Sequence, residues 1–139
     1  MKKEGMRDLS LIIGIIIIDR ILKMFLIDGC FNVFCIRAVL NRGASFGILE
    51  GMTPLLIVVS MIVLVLMGHY YKRTSPKIKL ALTFIAAGTL SNLIDRVMYG
   101  GVIDLFSIFN SSSFNLADIS NLVGGIMLLG IILGNTKKK

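Results

Sequence analysis

Asp104 and Asp118 are the residues whose type and spacing best suit chemistry in this chain, which has only 8 acidic residues among 139. They flank a short polar patch, 110–113, and an uncharged apolar run begins directly after the second one. A single helix would hold the two carboxylates about 21 Å apart, whereas a chain that folds back at the patch could bring them together. Two carboxylates in contact share one proton, so the ionised group can take a proton from water while the protonated group polarises a carbonyl. The pair therefore indicates peptide hydrolysis, unless Asp118 only caps the helix that follows it.

The composition predicts that the chain lies mostly in lipid. The mean hydropathy is +0.86 and 55% of the residues are hydrophobic, which is too apolar for a soluble domain of this size. Apolar runs predict membrane spans at about 9–27, 52–70, 78–97 and 119–135. The first run contains charges and lacks a small-residue cleavage site, which favours a retained helix over a signal peptide. The sequence thus predicts one domain, 1–139, with four spans.

The distribution of basic residues predicts the orientation. Ten lysines and arginines lie before the first span, between the second and third, or after the fourth, and three lie on the other side. The positive-inside rule then places both termini in the cytoplasm and the segments 28–50 and 97–118 outside. Because topology explains the net charge of +7, no nucleic-acid partner is expected.

The outer segment between the first two spans has the composition of strands. Residues 31–40 are rich in aromatic and β-branched side chains, and 41–43 form a turn signal. Cys30 and Cys35 have no histidine beside them, so they are read as small apolar fillers, with a disulfide left open and no metal expected. His69 is the only histidine, which argues against a multi-histidine site and a serine–histidine triad.

Ionisable residues inside the spans are costly and are therefore candidates for function. Asp19 and Lys23 are four residues apart on one helix, where they either form an ion pair that ties helices together or belong to a site. Asn92, Asp95 and Arg96 share a face of the third span. Either this face borders a water-filled cavity, or the helix ends here and Asp95 and Arg96 form an ion pair at the membrane surface.

Four motifs in order give the chain a family resemblance from about residue 9 to 134. They are Asp19-Arg20-Ile21-Leu22-Lys23, the segment 41–47 (NRGASFG), Asn92-Leu93-Ile94-Asp95-Arg96 followed by Gly100, Val102 and Asp104, and Phe114-Asn115-Leu116-Ala117-Asp118. With these motifs the chain resembles the bacterial signal peptidase II family, the prolipoprotein signal peptidases. These are four-span membrane aspartic peptidases.

The resemblance implies a fold and a role for each matching residue. The fold would be a mainly α membrane protein of four transmembrane helices, with a small extracytoplasmic β-sheet cradle and a short flap. Asp104 and Asp118 fall on the family's catalytic aspartates. The substrate-binding or supporting positions would be Asn41, Gly43, Asn92, Arg96, Asn115, Asp19, Lys23 and Asp95.

The resemblance also implies the substrate and the cellular setting. The enzyme would cut a prolipoprotein just before a cysteine that carries diacylglycerol, at the outer face of the bacterial cytoplasmic (inner) membrane. It would need no cofactor or metal, act as a monomer among membrane lipids, and be a target of cyclic-peptide inhibitors of the globomycin type.

Departures from the family pattern are small. Leu22, Ser45, Ser91 and Leu105 replace residues that are usual in the motifs, and the loop between the two aspartates is short. Two other interpretations stay open on the residues alone. One is an ion- or proton-coupled carrier that uses Asp19, Asp95 and Arg96 as a relay. The other is a packing subunit without chemistry.

Overall fold

Four helices and a four-stranded antiparallel sheet make up the protein in a computed structural model, which describes residues 2–25, 29–31, 34–43, 51–108 and 112–136. In chain order the elements are α1 (Lys2–Phe25), β1 (Gly29–Phe31), β2 (Phe34–Asn41), α2 (Thr53–Tyr71), α3 (Pro76–Tyr99), β3 (Val102–Ile108), β4 (Ser112–Phe114) and α4 (Leu116–Thr136).

Three helices among the described residues are long and apolar enough to cross a membrane. They are α2, α3 and α4, which match the spans predicted at 52–70, 78–97 and 119–135. The predicted first span, 9–27, is helical up to Phe25 as part of α1, but its second half carries three charged residues and α1 is not among the three. Three of the four predicted spans are therefore confirmed, and the first span, 9–27, stays a prediction.

Helix α3 is the centre of the bundle, since α1, α2 and α4 all pack against it. The contact between α3 and α4 depends on small residues that let the backbones come close. A Cβ added to Gly88 would lie 2.2 Å from the carbonyl oxygen of Ala117, and one added to Gly124 would lie 2.6 Å from that of Ala81. This close packing brings the beginning of α4 against the second half of α3, from Gly88 to Asn92.

The sheet lies at one end of the bundle, where its strands run in the order β1-β2-β3-β4. The prediction of short strands at 31–40 is confirmed, whereas β3 and β4 were not predicted. The register pairs Asn41 with Val102 and Val39 with Asp104, and it shifts between Ile36 and Val39, where β2 has one residue more than β3. The end of β2 is thereby set beside the beginning of β3.

Two glycines turn the chain from α3 into β3. Gly100 ends the helix with a φ of +69°, a left-handed conformation that favours glycine, and its N–H donates to the carbonyl oxygen of Arg96 at 3.1 Å. Gly101 lies so close to the end of β2 that an added Cβ would be 2.8 Å from the carbonyl oxygen of Asn41. The last turn of α3 is thus joined directly to the strand that carries Asp104.

Some predictions fall on residues that the structure does not describe. Ser45 and the rest of 44–50 lie outside the described residues, as do 109–111, which include the first two residues of the polar patch, and the terminal lysines 137–139. The flap expected within 31–50 can be compared only at the residues that form β1, β2 and the turn to Gly43. Cys30 and Cys35 are backbone partners in the β1–β2 pair, and their side chains are outside the described part.

Candidate active site

Asp104 lies in β3 with its side chain turned into the protein, and only 1% of the residue is exposed. Both carboxylate oxygens accept hydrogen bonds. Oδ2 accepts from Nδ2 of Asn41 at 3.0 Å and from the hydroxyl of Ser113 at 3.0 Å, and Oδ1 accepts from Nδ2 of Asn115 at 2.9 Å. The donors come from the end of β2, from β4 and from the start of α4, so the sheet and the bundle meet at this carboxylate.

Burial dominates the ionisation of Asp104. Removal of the carboxyl from water raises its pKa above the ordinary value, while the hydrogen bonds from Asn41, Ser113 and Asn115 act in the opposite direction without cancelling the effect of burial. The pKa of Asp104 is therefore higher than that of a surface aspartate, so this carboxyl holds a proton more readily.

Asp118, the third residue of α4, takes part in a reciprocal cap with Asn115. The backbone N–H of Asn115 donates to Oδ2 of Asp118 at 3.2 Å, and the backbone N–H of Asp118 donates to Oδ1 of Asn115 at 2.9 Å. The capping interpretation is thus correct for one carboxylate oxygen. The other oxygen, Oδ1, accepts from Nδ2 of Asn92 on α3 at 2.9 Å, so the side chain does more than cap its own helix.

Asn115 joins the two carboxylates, which we call the aspartate pair. Its fully buried amide donates to Asp104 and also to Oδ1 of Asn92 at 3.1 Å, while its backbone and Oδ1 engage Asp118. Asp118 also accepts from Asn92, so both acids belong to one network of side-chain hydrogen bonds centred on Asn115. The fold therefore brings together the two residues that the sequence marked as a pair.

The Asn41–Gly43 turn lies beside the pair. Oδ1 of Asn41 accepts from the backbone N–H of Gly43 at 2.9 Å, which fixes the orientation of the amide so that its Nδ2 faces Asp104. Asn41 therefore acts on the carboxylate directly, and Gly43 acts by orienting Asn41.

Arg96 lies in the last turn of α3, where three carboxylates, those of Asp95, Asp104 and Asp118, are near enough to attract its charge. The proposed Asp95–Arg96 pair at the helix end is wrong, because Asp95 forms its ion pairs with Arg20 and Lys23 instead. Within the described part of the chain, Arg96 has no acidic partner at ion-pair distance.

A cluster of charges lies between α1 and α3, and we call Asp19, Arg20, Lys23, Ser91 and Asp95 the charge cluster. Nζ of Lys23 is 2.7 Å from Oδ2 of Asp19 and 2.7 Å from Oδ2 of Asp95, with 3% of its side chain exposed. Arg20 also contacts both acids, and the hydroxyl of Ser91 donates to Asp19 at 2.6 Å. The predicted Asp19–Lys23 ion pair is present and ties helices together.

The charge cluster also reaches the strand that carries the first aspartate. Oδ2 of Asp95 accepts from the backbone N–H of Ile103 at 3.1 Å, and Ile103 immediately precedes Asp104. Asp95 therefore anchors the beginning of β3 to the bundle. Because Asp19 and Asp95 both have cationic partners, the arrangement favours a supporting role over a proton relay.

Three residues that contact these groups were not predicted as site residues. The sequence does not distinguish Ser113 from its neighbours in the serine run, and it marks Ser91 only as a departure from a glycine that is usual in the family motif. Arg20 is a charge inside an apolar run, and this was a usable signal, because a buried cation requires an acidic partner.

An open, groove-like cavity of about 460 Å³, lined by α4 alone, extends from Asp118 along the exposed apolar face of that helix. After the aspartate its lining becomes apolar, with Leu122, Ile126 and Leu129. A ligand that reaches the aspartate pair could therefore place an apolar portion along the membrane-spanning helix.

Among the described residues, no three histidine, cysteine, aspartate or glutamate side chains are grouped as a metal site.

The sequence matches the family profile described as signal peptidase (SPase) II over residues 11–133. A lipoprotein signal peptidase of Clostridium novyi is 35% identical over an alignment that covers 95% of this chain and 100% of the relative. Another, from Clostridium acetobutylicum, is 38% identical and covers 88% of this chain and 92% of its own length. The resemblance drawn from the four motifs is thereby confirmed.

A solved structure described as a bacterial membrane enzyme at 2.3 Å resolution has a similar fold. It superposes with a TM-score of 0.88 at 23% identity, covering 96% of this chain and 91% of that one. A second bacterial membrane enzyme, at 1.9 Å resolution, gives a TM-score of 0.81 with the same identity and covers 91% of this chain and 92% of that one. These similarities concern the arrangement of helices and strands alone.

Proposed function

The chain belongs to the signal peptidase II family, and from this premise we propose that it removes the signal peptide of diacylglyceryl-modified prolipoproteins by aspartic catalysis. The scissile bond is the one just before the lipidated cysteine. The observation that carries the proposal is the aspartate pair itself: two carboxylates from separate elements, joined by the buried amide of Asn115.

The reaction needs one proton on the pair. The ionised carboxylate takes a proton from a water molecule, whose oxygen attacks the peptide carbonyl carbon, while the protonated carboxyl donates to the carbonyl oxygen. When the C–N bond breaks, the leaving nitrogen receives the proton that the first carboxylate took from water. One hydroxyl of the tetrahedral intermediate returns its proton to the second carboxylate and becomes the new carbonyl oxygen, so the pair again holds one proton. The raised pKa of Asp104 supports this scheme, because burial makes sharing a proton less costly than ionising both acids.

Neighbouring groups bind and orient the substrate in this scheme. Arg96 offers guanidinium donors near the pair and donates to a backbone carbonyl of the substrate. Asn41, Asn92 and Asn115 hold the two carboxylates in place through the hydrogen bonds described above. The cavity along α4 receives apolar substrate groups next to Asp118.

The proposed setting is the bacterial inner membrane. The protein spans it several times, with both termini in the cytoplasm and the aspartate pair at the outer face, where a lipid-anchored cysteine holds the scissile bond. It acts as a monomer without a cofactor. Cyclic peptides of the globomycin type would compete for the same site.

The test is cleavage of a diacylglyceryl-modified prolipoprotein by the purified protein in detergent. Asp104→Asn and Asp118→Asn should each abolish cleavage before the lipidated cysteine. Because asparagine keeps an oxygen for the helix cap, Asp118→Asn should remain folded. Asp8→Asn changes another buried aspartate, at the opposite end of α1 from the charge cluster, and should stay active. Substantial cleavage by either pair variant would refute the catalytic assignment.

A further inference from the structure

A second cavity, of about 270 Å³, lies at the end of the bundle opposite to the aspartate pair. Its walls come from the first turns of α1, the last turns of α2 and the first half of α3, and most of them are apolar, as at Leu9, Leu64 and Met67. Because α1 and α2 each pack on α3, the cavity is a gap between them with α3 as its floor. Met6 is 69% exposed and Val65 is 71% exposed, so the surfaces beside the gap face the surrounding lipid.

We propose that this cavity binds an acyl chain of an anionic phospholipid, whose phosphate is held by basic residues at the cavity rim. This binding site is separate from the peptidase site.

Charge complementarity supports an anionic headgroup. Among the residues whose side chains the structure describes, this end of the bundle carries six basic residues and two acidic ones: Lys3, Arg7, Lys72, Arg73, Lys77 and Lys79 against Glu4 and Asp8. Nζ of Lys79 is 3.7 Å from the Glu4 carboxylate, a loose ion pair that a phosphate can replace. Arg7 has a half-exposed side chain and several N–H donors beyond its contact with Asp8.

The carboxylate of Asp8 lines the cavity, so it has to be compatible with a phosphate nearby. Asp8 is 2% exposed, and it accepts hydrogen bonds from the hydroxyl of Tyr71 and from Nε of Arg7 at 2.8 Å. Its charge is thus directed to partners within the protein. The Asp8–Tyr71 hydrogen bond also joins α1 to the end of α2 across the gap.

The glycines of the helices permit a sharp test. Gly68 lines the cavity, and a Cβ added there meets no atom within 4 Å, so Gly68→Leu fills the space that the acyl chain would occupy. Gly14 is equally free of neighbours and does not line the cavity, so Gly14→Leu is the matched control. The full chain is purified in detergent, and bound phosphatidylglycerol and phosphatidylcholine of identical acyl chains are counted by native mass spectrometry.

We expect the unchanged protein to retain phosphatidylglycerol several-fold more than phosphatidylcholine. Gly68→Leu should lose most of the bound lipid while Gly14→Leu keeps it, and Lys79→Gln should lose the preference between headgroups. Equal retention by Gly68→Leu and Gly14→Leu would overturn the site. Equal binding of the two lipids by the unchanged protein would overturn the anionic headgroup.

A second measurement does not depend on any variant. Phosphatidylglycerol with a photoreactive group on its acyl chain is crosslinked to the unchanged protein, and the labelled peptides are identified. Labels should concentrate on the peptide with Met67, Gly68 and Tyr71. Labels spread evenly over the lipid-facing surfaces of α2 and α4 would contradict the proposal.

Discussion

Asn115→Ser separates the two roles that Asn115 combines. Serine is a good helix cap, so the N–H of Asp118 keeps an acceptor, but the short hydroxyl no longer reaches both Asp104 and Asn92. The lost hydrogen bond runs to a charged group and contributes about 1.5–3 kcal/mol. If that contribution acts on the arrangement of the aspartate pair in the transition state, kcat/KM falls by roughly 10- to 100-fold.

Asn115→Ala provides the comparison, because it removes the cap as well. We expect it to lose about 1 kcal/mol more in the free energy of unfolding than Asn115→Ser, with a similar loss of activity. Asn135→Ser, at the far end of α4, is the control for asparagine replacement in the same helix. The assays are prolipoprotein cleavage and thermal unfolding in the same detergent. Full activity in Asn115→Ser would show that the bridge does not organise the pair.

Three further predictions concern ionisation, buried charge and packing. Ser113→Ala removes a hydrogen-bond donor that stabilises the charged form of Asp104, so the pKa of that carboxyl should rise further. One limb of the pH–activity profile should then move to higher pH, and a shift to lower pH would contradict the argument. Lys23→Met leaves two buried carboxylates without their shared lysine and should cost about 3–5 kcal/mol in unfolding experiments, whereas the exposed Lys77→Met should cost almost nothing. Gly88→Ala forces α3 and α4 apart and should lower stability by about 1–3 kcal/mol and reduce activity, while Gly14→Ala, where there is open space, should do neither.

The helices could be predicted from the sequence because a membrane span is recognisable from one continuous run of apolar residues. An uncharged run of sufficient length is enough to predict α2 and α4, and Gly100 with Gly101 signals the end of α3. The aspartate pair could also be predicted from the sequence, because two acids beside an apolar run are rare and because the four motifs are specific.

The sheet and its contacts could not be predicted in the same way. β3 pairs with β2 across the whole of α2 and α3, and such pairing depends on residues far apart in the chain. The polar patch predicts a turn, but Ser112 and Ser113 belong to β4, where the pleat of the strand turns the hydroxyl of Ser113 toward Asp104. A run of like residues gives no indication of which one will face the site.

The charge cluster has a consequence for how the protein enters the membrane. Asp19, Arg20 and Lys23 lie in α1, whereas their partner Asp95 lies in α3, which is synthesised about seventy residues later. Each charge costs about 2.5–3.5 kcal/mol at the centre of an isolated span. We therefore expect α1 to stay at the membrane surface or in the translocation machinery until α3 arrives, so that the first helix is inserted stably only with the third. Insertion of truncated chains that end before or after α3 measures this directly, and equal insertion of α1 in both would refute it.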